Sequence, residues 1–325
     1  MRRDSEKKYS DLEQCNLCEW RCGVDRLAGE LGVCKVTDTE VHTSQLHPAP
    51  PASFDAFLIG CNFRCLACQN WPIAYRKEPG KKYSPREWAR MGVKALESKE
   101  AARIGADRLF FTGGEPTIHL PWIEEVVREA RKINPEIKVN FDTNGFMTPN
   151  SLKRIIRISD SITFDIKAYT EEMHRALTGA PVEPVLRNAE KIWKRAKEKL
   201  YEFRVLVIPG LSSLEISEIC SFLSSIGDPP VLFLAFRPNF ALDKYRGVYL
   251  SEMERCIEIA RREGLSTVKW SGITGIPSLV NYEESGLELA KRVSRDSGCL
   301  RPENRKCELC FSVCPLEKYE PLRWT

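Results

Sequence analysis

Residues 54–68 read Phe54-Asp55-Ala56-Phe57-Leu58-Ile59-Gly60-Cys61-Asn62-Phe63-Arg64-Cys65-Leu66-Ala67-Cys68. The first six form an apolar run of strand length. Gly60 stops it, and three cysteines follow at C-x3-C-x2-C spacing. Three thiolates so spaced can cap three irons of a cubane cluster and leave the fourth iron without a protein ligand. The same logic keeps one position open on a catalytic zinc. A zinc knuckle would want a fourth ligand nearby, and Gln69, Asn70 and Trp71 are poor ones.

Outward from this stretch the chain alternates. Residues 84–103 predict a helix and 108–112 a strand ending in Gly113-Gly114-Glu115-Pro116. A helix over 121–133, a strand over 137–142, a short helix over 149–158 and a strand over 161–165 come next. A long helix over 183–199 leads to a strand over 203–208, and 213–225, 231–236, 251–263 and 267–270 read helix, strand, helix, strand. Such alternation predicts parallel βα units wound right-handedly. Seven strands fall short of a closed eight-stranded barrel. The expected fold class is therefore α/β: a partial, open parallel barrel of (β/α)6 type, with its site at the carboxyl ends of the strands. Residues 10–47 read as loop, a Pro-rich stretch follows at 47–51, and a helix is expected near 283–294. The expected layout is a Cys-rich N-terminal extension over 1–53, the barrel over 54–274, and a Cys-rich C-terminal extension over 275–325.

The chain has 325 residues, 42% hydrophobic and 29% charged, with a net charge of +4. That excess is too small for a nucleic-acid footprint. No apolar run reaches the length of a membrane span, and the charged start over 1–8 lacks the apolar core of a signal peptide, so a cytoplasmic protein is expected. Of thirteen cysteines, Cys220 and Cys256 stand alone in helical segments and read as buried small hydrophobes. The other eleven fall in three clusters whose short gaps suit metal ligation better than disulfides. Cys15, Cys18, Cys22 and Cys34 form C-x2-C-x3-C-x11-C, and Cys299, Cys307, Cys310 and Cys314 form C-x7-C-x2-C-x3-C, with Pro315 directly after. Each can close a zinc or iron site or hold a further iron–sulfur cluster, and ligands shared between the two ends are also compatible with the spacing. Four ligands leave no open metal position, so these sites would be structural or electron-transferring.

The C-x3-C-x2-C motif after the first strand resembles that of the radical S-adenosylmethionine (SAM) superfamily, and over about residues 55–240 the chain looks like the pyruvate formate-lyase activating enzymes. The resemblance implies a [4Fe–4S] cluster on Cys61, Cys65 and Cys68 that cleaves SAM to a 5′-deoxyadenosyl radical. It further implies that Gly113, Gly114, Glu115 and Pro116 form the loop receiving the SAM amino group. The stretch 142–146, with Asp142 and Asn144, is similar to an activase loop near SAM. Lys167, in Asp165-Ile166-Lys167, matches a lysine approaching the SAM carboxylate, and Arg204 matches a strand residue facing the same site. The residues have physical uses of their own. Paired glycines let backbone approach a ligand, Glu115 offers an acceptor to an ammonium group, and Lys167 and Arg204 offer donors to a carboxylate. The activases lack the two terminal cysteine clusters.

Several other residues weigh less. His119 reads as a surface or capping histidine and His174 as helix surface. Tyr75, just past the motif, reads either as part of a loop folded over the cluster or as ordinary packing, and Trp270 and Ser271 read as facing substrate, with core the alternative for Trp270. The function expected first is hydrogen abstraction, at a Cα, from a protein or peptide substrate as a post-translational modification, with a low-potential ferredoxin or flavodoxin as electron donor. The second is a cobalamin-dependent C-methyltransferase acting on a protein residue, as in methyl-coenzyme M reductase, although no D-x-H-x-x-G motif occurs. The third is a non-catalytic zinc-binding interaction protein. No membrane and no nucleic-acid partner is expected.

Overall fold

The computed structural model describes residues 10–299 and, beyond them, Arg301, Cys307, Cys314 and Leu316. The expectations for residues 1–8 and for Cys310 lie outside the described residues. The chain divides into two compact units, Met1–Asn62 with Asn70–Thr163, and Phe63–Gln69 with Phe164–Thr325.

The first unit carries α1 (Ser10–Glu13), β1 (Val41–His47), β2 (Ser53–Leu58), α2 (Trp71–Ala74), α3 (Pro85–Leu96), α4 (Lys99–Ile104), β3 (Arg108–Gly113), α5 (Leu120–Ile133), β4 (Lys138–Thr143) and α6 (Pro149–Ile158). β2 pairs in parallel with β3, and β3 with β4. Residues 10–47, expected to be loop, contain β1, which runs antiparallel to β2 from Val41 opposite Leu58 to His47 opposite Ser53. Its sequence is mostly polar and only Val41 is buried, so the backbone ladder makes this strand rather than an apolar face. The helix expected over 84–103 is two helices. Ser98 divides them, donating to Ala95 O at 2.6 Å and accepting from Ala101 N at 3.2 Å. Trp88 anchors the core, with ring centroids 5.6 Å from Phe54, 5.3 Å from Phe111 and 5.8 Å from Trp122.

β5 (Ser161–Ile166) carries the chain onward to α7 (Glu171–Thr178), α8 (Glu183–Ala196), β6 (Leu200–Val207), α9 (Ile216–Ile226), β7 (Val231–Ala235), α10 (Leu250–Arg262), β8 (Val268–Ser271) and α11 (Gly286–Asp296). In the second unit β6 pairs in parallel with β7, and β7 with β8. Within each unit strand order follows chain order, which is the topology of consecutive βα units. The chain is thus α/β with mainly parallel strands, as the alternation predicts. Phe164 meets Phe203 edge-on at 5.5 Å in the second core. Cys220 and Cys256 are buried within α9 and α10, and burial pushes both thiols up to about 12.

Candidate active site

In the first unit the ends of β2 and β3 cross almost in contact. Gly114 N donates to Leu58 O at 2.8 Å and Glu115 N to Gly60 O at 3.0 Å. Gly60 and Gly113 have φ of +89° and +109°, a region open to glycine. Gly114 is required for a different reason: a Cβ there would lie 1.8 Å from the Gly60 carbonyl oxygen. The Gly-Gly pair therefore permits backbone to pass backbone.

Glu115 is 1% exposed. Its carboxylate accepts from Thr117 N at 3.0 Å, Thr143 Oγ1 at 2.7 Å and Asn144 N at 2.8 Å. Burial still raises its pKa against these donors. Both oxygens are engaged, so the side chain expected to greet an ammonium group braces the loop after β3 against the loop after β4. Asn144, held by that brace, donates from Nδ2 to Asn62 Oδ1 at 2.7 Å, with Cys61 Sγ 3.9 Å away. Asp142 Oδ2 accepts from Thr112 Oγ1 at 2.7 Å.

The N-terminal cysteines stand beside this brace. Burial raises the Cys18 thiol's pKa, and the nearby Cys34, Cys22 and Cys15 raise it further. Their segment is sewn to the site loops: Trp20 Nε1 donates to Asn62 O at 2.7 Å, Glu19 N to Phe146 O at 3.3 Å and Thr148 N to Leu17 O at 3.2 Å. Arg26, 3% exposed, donates to Ile118 O at 2.7 Å and reaches Cys15 Sγ at 3.9 Å. No local signal in the sequence marks Arg26 or Trp20. Tyr75 is buried, as ordinary packing requires. His119 is not on the surface, and although it holds the N-cap position of α5 its side chain makes no capping hydrogen bond. It is 1% exposed, with Nε2 2.8 Å from Ile59 O and Nδ1 3.1 Å from Thr39 Oγ1, and burial lowers its pKa to about 3, so it is a neutral strut.

In the second unit the stretch holding Cys65 and Cys68 lies along the end of α7. Arg64 N donates to Thr178 O at 2.8 Å and Leu66 N to Leu177 O at 2.9 Å, meeting carbonyls that a helix end leaves open. Burial raises the Cys65 thiol's pKa while Lys167 and Arg301 pull it down. Lys167 pairs with Asp165 at 2.7 Å, and Arg204 with Glu202 at 2.9 Å on one face of β6. His174 is fully buried rather than on the helix surface. Its Nδ1 lies 2.7 Å from Ala180 O, its ring meets the edge of Phe63 at 5.4 Å, and burial lowers its pKa to about 4. Ser271 is exposed and Trp270 half-exposed on β8, so neither belongs to the core. Cys299, Cys307 and Cys314 are buried, and Arg301 Nε donates to Cys299 Sγ at 3.0 Å.

None of the described cysteines is in a disulfide. Among the described residues no group of three His, Cys, Asp or Glu side chains is placed to hold a metal ion. Thiolates at C-x3-C-x2-C spacing are the donor type that suits an iron–sulfur cluster. An amide donor stands beside Cys61 and two cations stand beside Cys65, both of which favour thiolate.

The radical SAM superfamily pattern matches residues 57–223. An uncharacterised protein of Methanocaldococcus jannaschii is 26% identical over 277 residues, covering 79% of this chain and 77% of that protein. A second from the same organism is 23% identical and covers 94% of this chain and 96% of its own length. The pyruvate formate-lyase-activating enzyme of Staphylococcus epidermidis is 26% identical over 188 residues, covering 54% of this chain and 71% of that enzyme. With residues 57–223, more than half its length, matched, the chain belongs to the radical SAM superfamily, whose enzymes work with a [4Fe–4S] cluster and SAM.

Proposed function

We propose that this enzyme abstracts a hydrogen atom, at a Cα, from a protein or peptide substrate, in the manner of the glycyl-radical activating enzymes. The observation that carries the reading is the C-x3-C-x2-C motif set directly after β2, followed by the Gly113-Gly114 crossing after β3. The likeness to a pyruvate formate-lyase-activating enzyme supports a polypeptide substrate.

Cluster and SAM supply one-electron cleavage of the sulfonium and the hydrogen abstraction that follows. The chain's part is to bind and orient. Cys61, Cys65 and Cys68 would hold the cluster through their thiolates. Backbone groups of Gly113, Gly114, Glu115 and Pro116 meet the SAM amino group, while the Glu115 carboxylate keeps that loop fixed to Thr143 and Asn144. Asp142 and Asn144 line the neighbouring loop. Lys167 and Arg204 donate to the SAM carboxylate, each exchanging part of its present ion pair for it. Cys15, Cys18, Cys22 and Cys34 hold a closed metal centre that stiffens the loops at Asn62 and 146–148. Cys299, Cys307, Cys310 and Cys314 hold a second. A low-potential ferredoxin or flavodoxin in the cytoplasm supplies the electron.

The test is anaerobic turnover of the reconstituted enzyme with SAM, reductant and glycine-containing peptides, with and without cobalamin. 5′-Deoxyadenosine formed in step with a peptide-centred radical supports the reading. A C-methylated peptide that appears only with cobalamin, or no SAM cleavage at all, contradicts it.

A further inference from the structure

The C-terminal cysteine segment and the stretch around Cys65 meet through one side chain. Arg301 Nε donates to Cys299 Sγ at 3.0 Å, Nη1 to Ala176 O at 3.0 Å and Nη2 to Arg64 O at 2.6 Å. Ala176 lies in the last turn of α7, where carbonyls lack helical partners and a cation is favoured. Arg64 directly precedes Cys65. The guanidinium fork thus spans three anchors: a thiol of the C-terminal group, the end of a helix, and the backbone that carries Cys65.

A second contact reinforces the first. Gly179, with φ of +82°, lies so close to the C-terminal segment that a Cβ there would fall 1.9 Å from Cys307 Sγ and 3.7 Å from Arg301 Cζ. Only glycine allows that approach. Residues 64–66 are laid along the same helix end by the Arg64 N and Leu66 N hydrogen bonds. The charge of Arg301 reaches Cys65, as does the thiol of Cys307.

We propose that Arg301 is a positioning residue for Cys65: it locks the backbone that carries this thiol to the C-terminal cysteine segment, so that the two are assembled together and the cation tunes the cluster held at Cys65. This rests on the reading of Cys61, Cys65 and Cys68 as cluster ligands. Two effects follow from one side chain. The hydrogen bond to Arg64 O fixes where the Cys65 sulfur stands. The positive charge favours the reduced, more negative cluster, so its removal lowers the midpoint potential.

The test uses the full chain, reconstituted anaerobically, as wild type, Arg301→Lys, Arg301→Gln and Gly179→Ala. Iron content, the reduced-cluster EPR signal with and without SAM, and the midpoint potential are read for each, beside 5′-deoxyadenosine formation. Arg301→Gln is expected to keep its iron at Cys61, Cys65 and Cys68 but to lower the midpoint potential, alter the EPR signal and slow SAM cleavage at least tenfold. Arg301→Lys, which keeps the charge and loses the fork, is expected to recover most of the potential and little of the EPR line shape. Gly179→Ala, which puts a methyl against Cys307 Sγ and within ordinary contact of Arg301 Cζ while removing neither the charge nor the fork, is expected to alter the same signal. A folded Arg301→Gln chain with wild-type EPR and potential overturns the proposal. Should Arg301→Gln not fold, an unaltered signal in Gly179→Ala overturns it instead. A wild-type chain that binds iron but shows no SAM response refutes the functional reading and leaves the Arg301 effect on potential standing. A wild-type chain that holds no cluster takes both down.

Discussion

Replacing Gly114 by alanine places a methyl 1.8 Å from the Gly60 carbonyl oxygen, where ordinary contact needs more than about 3 Å. The obstacle is backbone, so no side chain can turn aside. β2 and β3 must part by more than about 1 Å at their carboxyl ends. That separation breaks two hydrogen bonds, Gly114 N to Leu58 O at 2.8 Å and Glu115 N to Gly60 O at 3.0 Å. Each lost bond costs about 1 kcal/mol net, and each buried N–H left without an acceptor about 1 kcal/mol more at least. The sum is roughly 4 kcal/mol, in the range of a severe core substitution. Gly105→Ala is the control. It has φ of +73° and nothing within 4 Å of an added Cβ, so only the left-handed backbone penalty of roughly 1 kcal/mol applies. Urea unfolding of the apo-protein followed by circular dichroism measures both. A Gly114→Ala loss no larger than that of Gly105→Ala would refute the crossing described here. So would a Gly114→Ala protein that cleaves SAM at the wild-type rate.

Asp55, 3% exposed on β2, has its pKa raised from 3.8 to about 6, chiefly by burial. The folded chain then holds this proton to about pH 6 while the unfolded chain releases it near pH 4, so stability falls as pH rises between these values, by up to about 3 kcal/mol. Asp55→Asn is expected to lack that slope and to be the more stable protein at pH 7, and equal slopes in the two proteins would contradict the assignment. At the N-terminus, Cys18→Ala is expected to remove one metal centre from the purified chain and to loosen residues 146–148, read by metal analysis and hydrogen exchange. Unchanged metal content and protection in that variant would show that the four thiols do not share a centre.

Much of the fold was legible in the sequence, and the candidate site's motifs could be placed at strand ends, because strand ends carry local signals. Leu58 closes β2 just before Gly60-Cys61, Gly113 closes β3 and Thr143 closes β4. What stayed hidden depends on partners distant in the chain. β1 has no apolar face to announce it and exists because β2 offers a free edge. His119 and His174 carry polar side chains, yet both are buried against backbone carbonyls, those of Ile59 and Ala180. Glu115 reads as a ligand for SAM until Thr143 and Asn144, from the next strand, occupy its oxygens. Arg301 and Arg64 lie 237 positions apart, a separation no spacing rule can bridge.

The most direct measurement is EPR of the chemically reduced, anaerobically reconstituted chain, with and without SAM, beside a variant in which Cys61, Cys65 and Cys68 are all alanine. A [4Fe–4S] signal that SAM perturbs in the wild type, and that is absent from the triple variant while the terminal centres persist, is the predicted result. A signal indifferent to SAM, or one that survives the loss of all three cysteines, would contradict it.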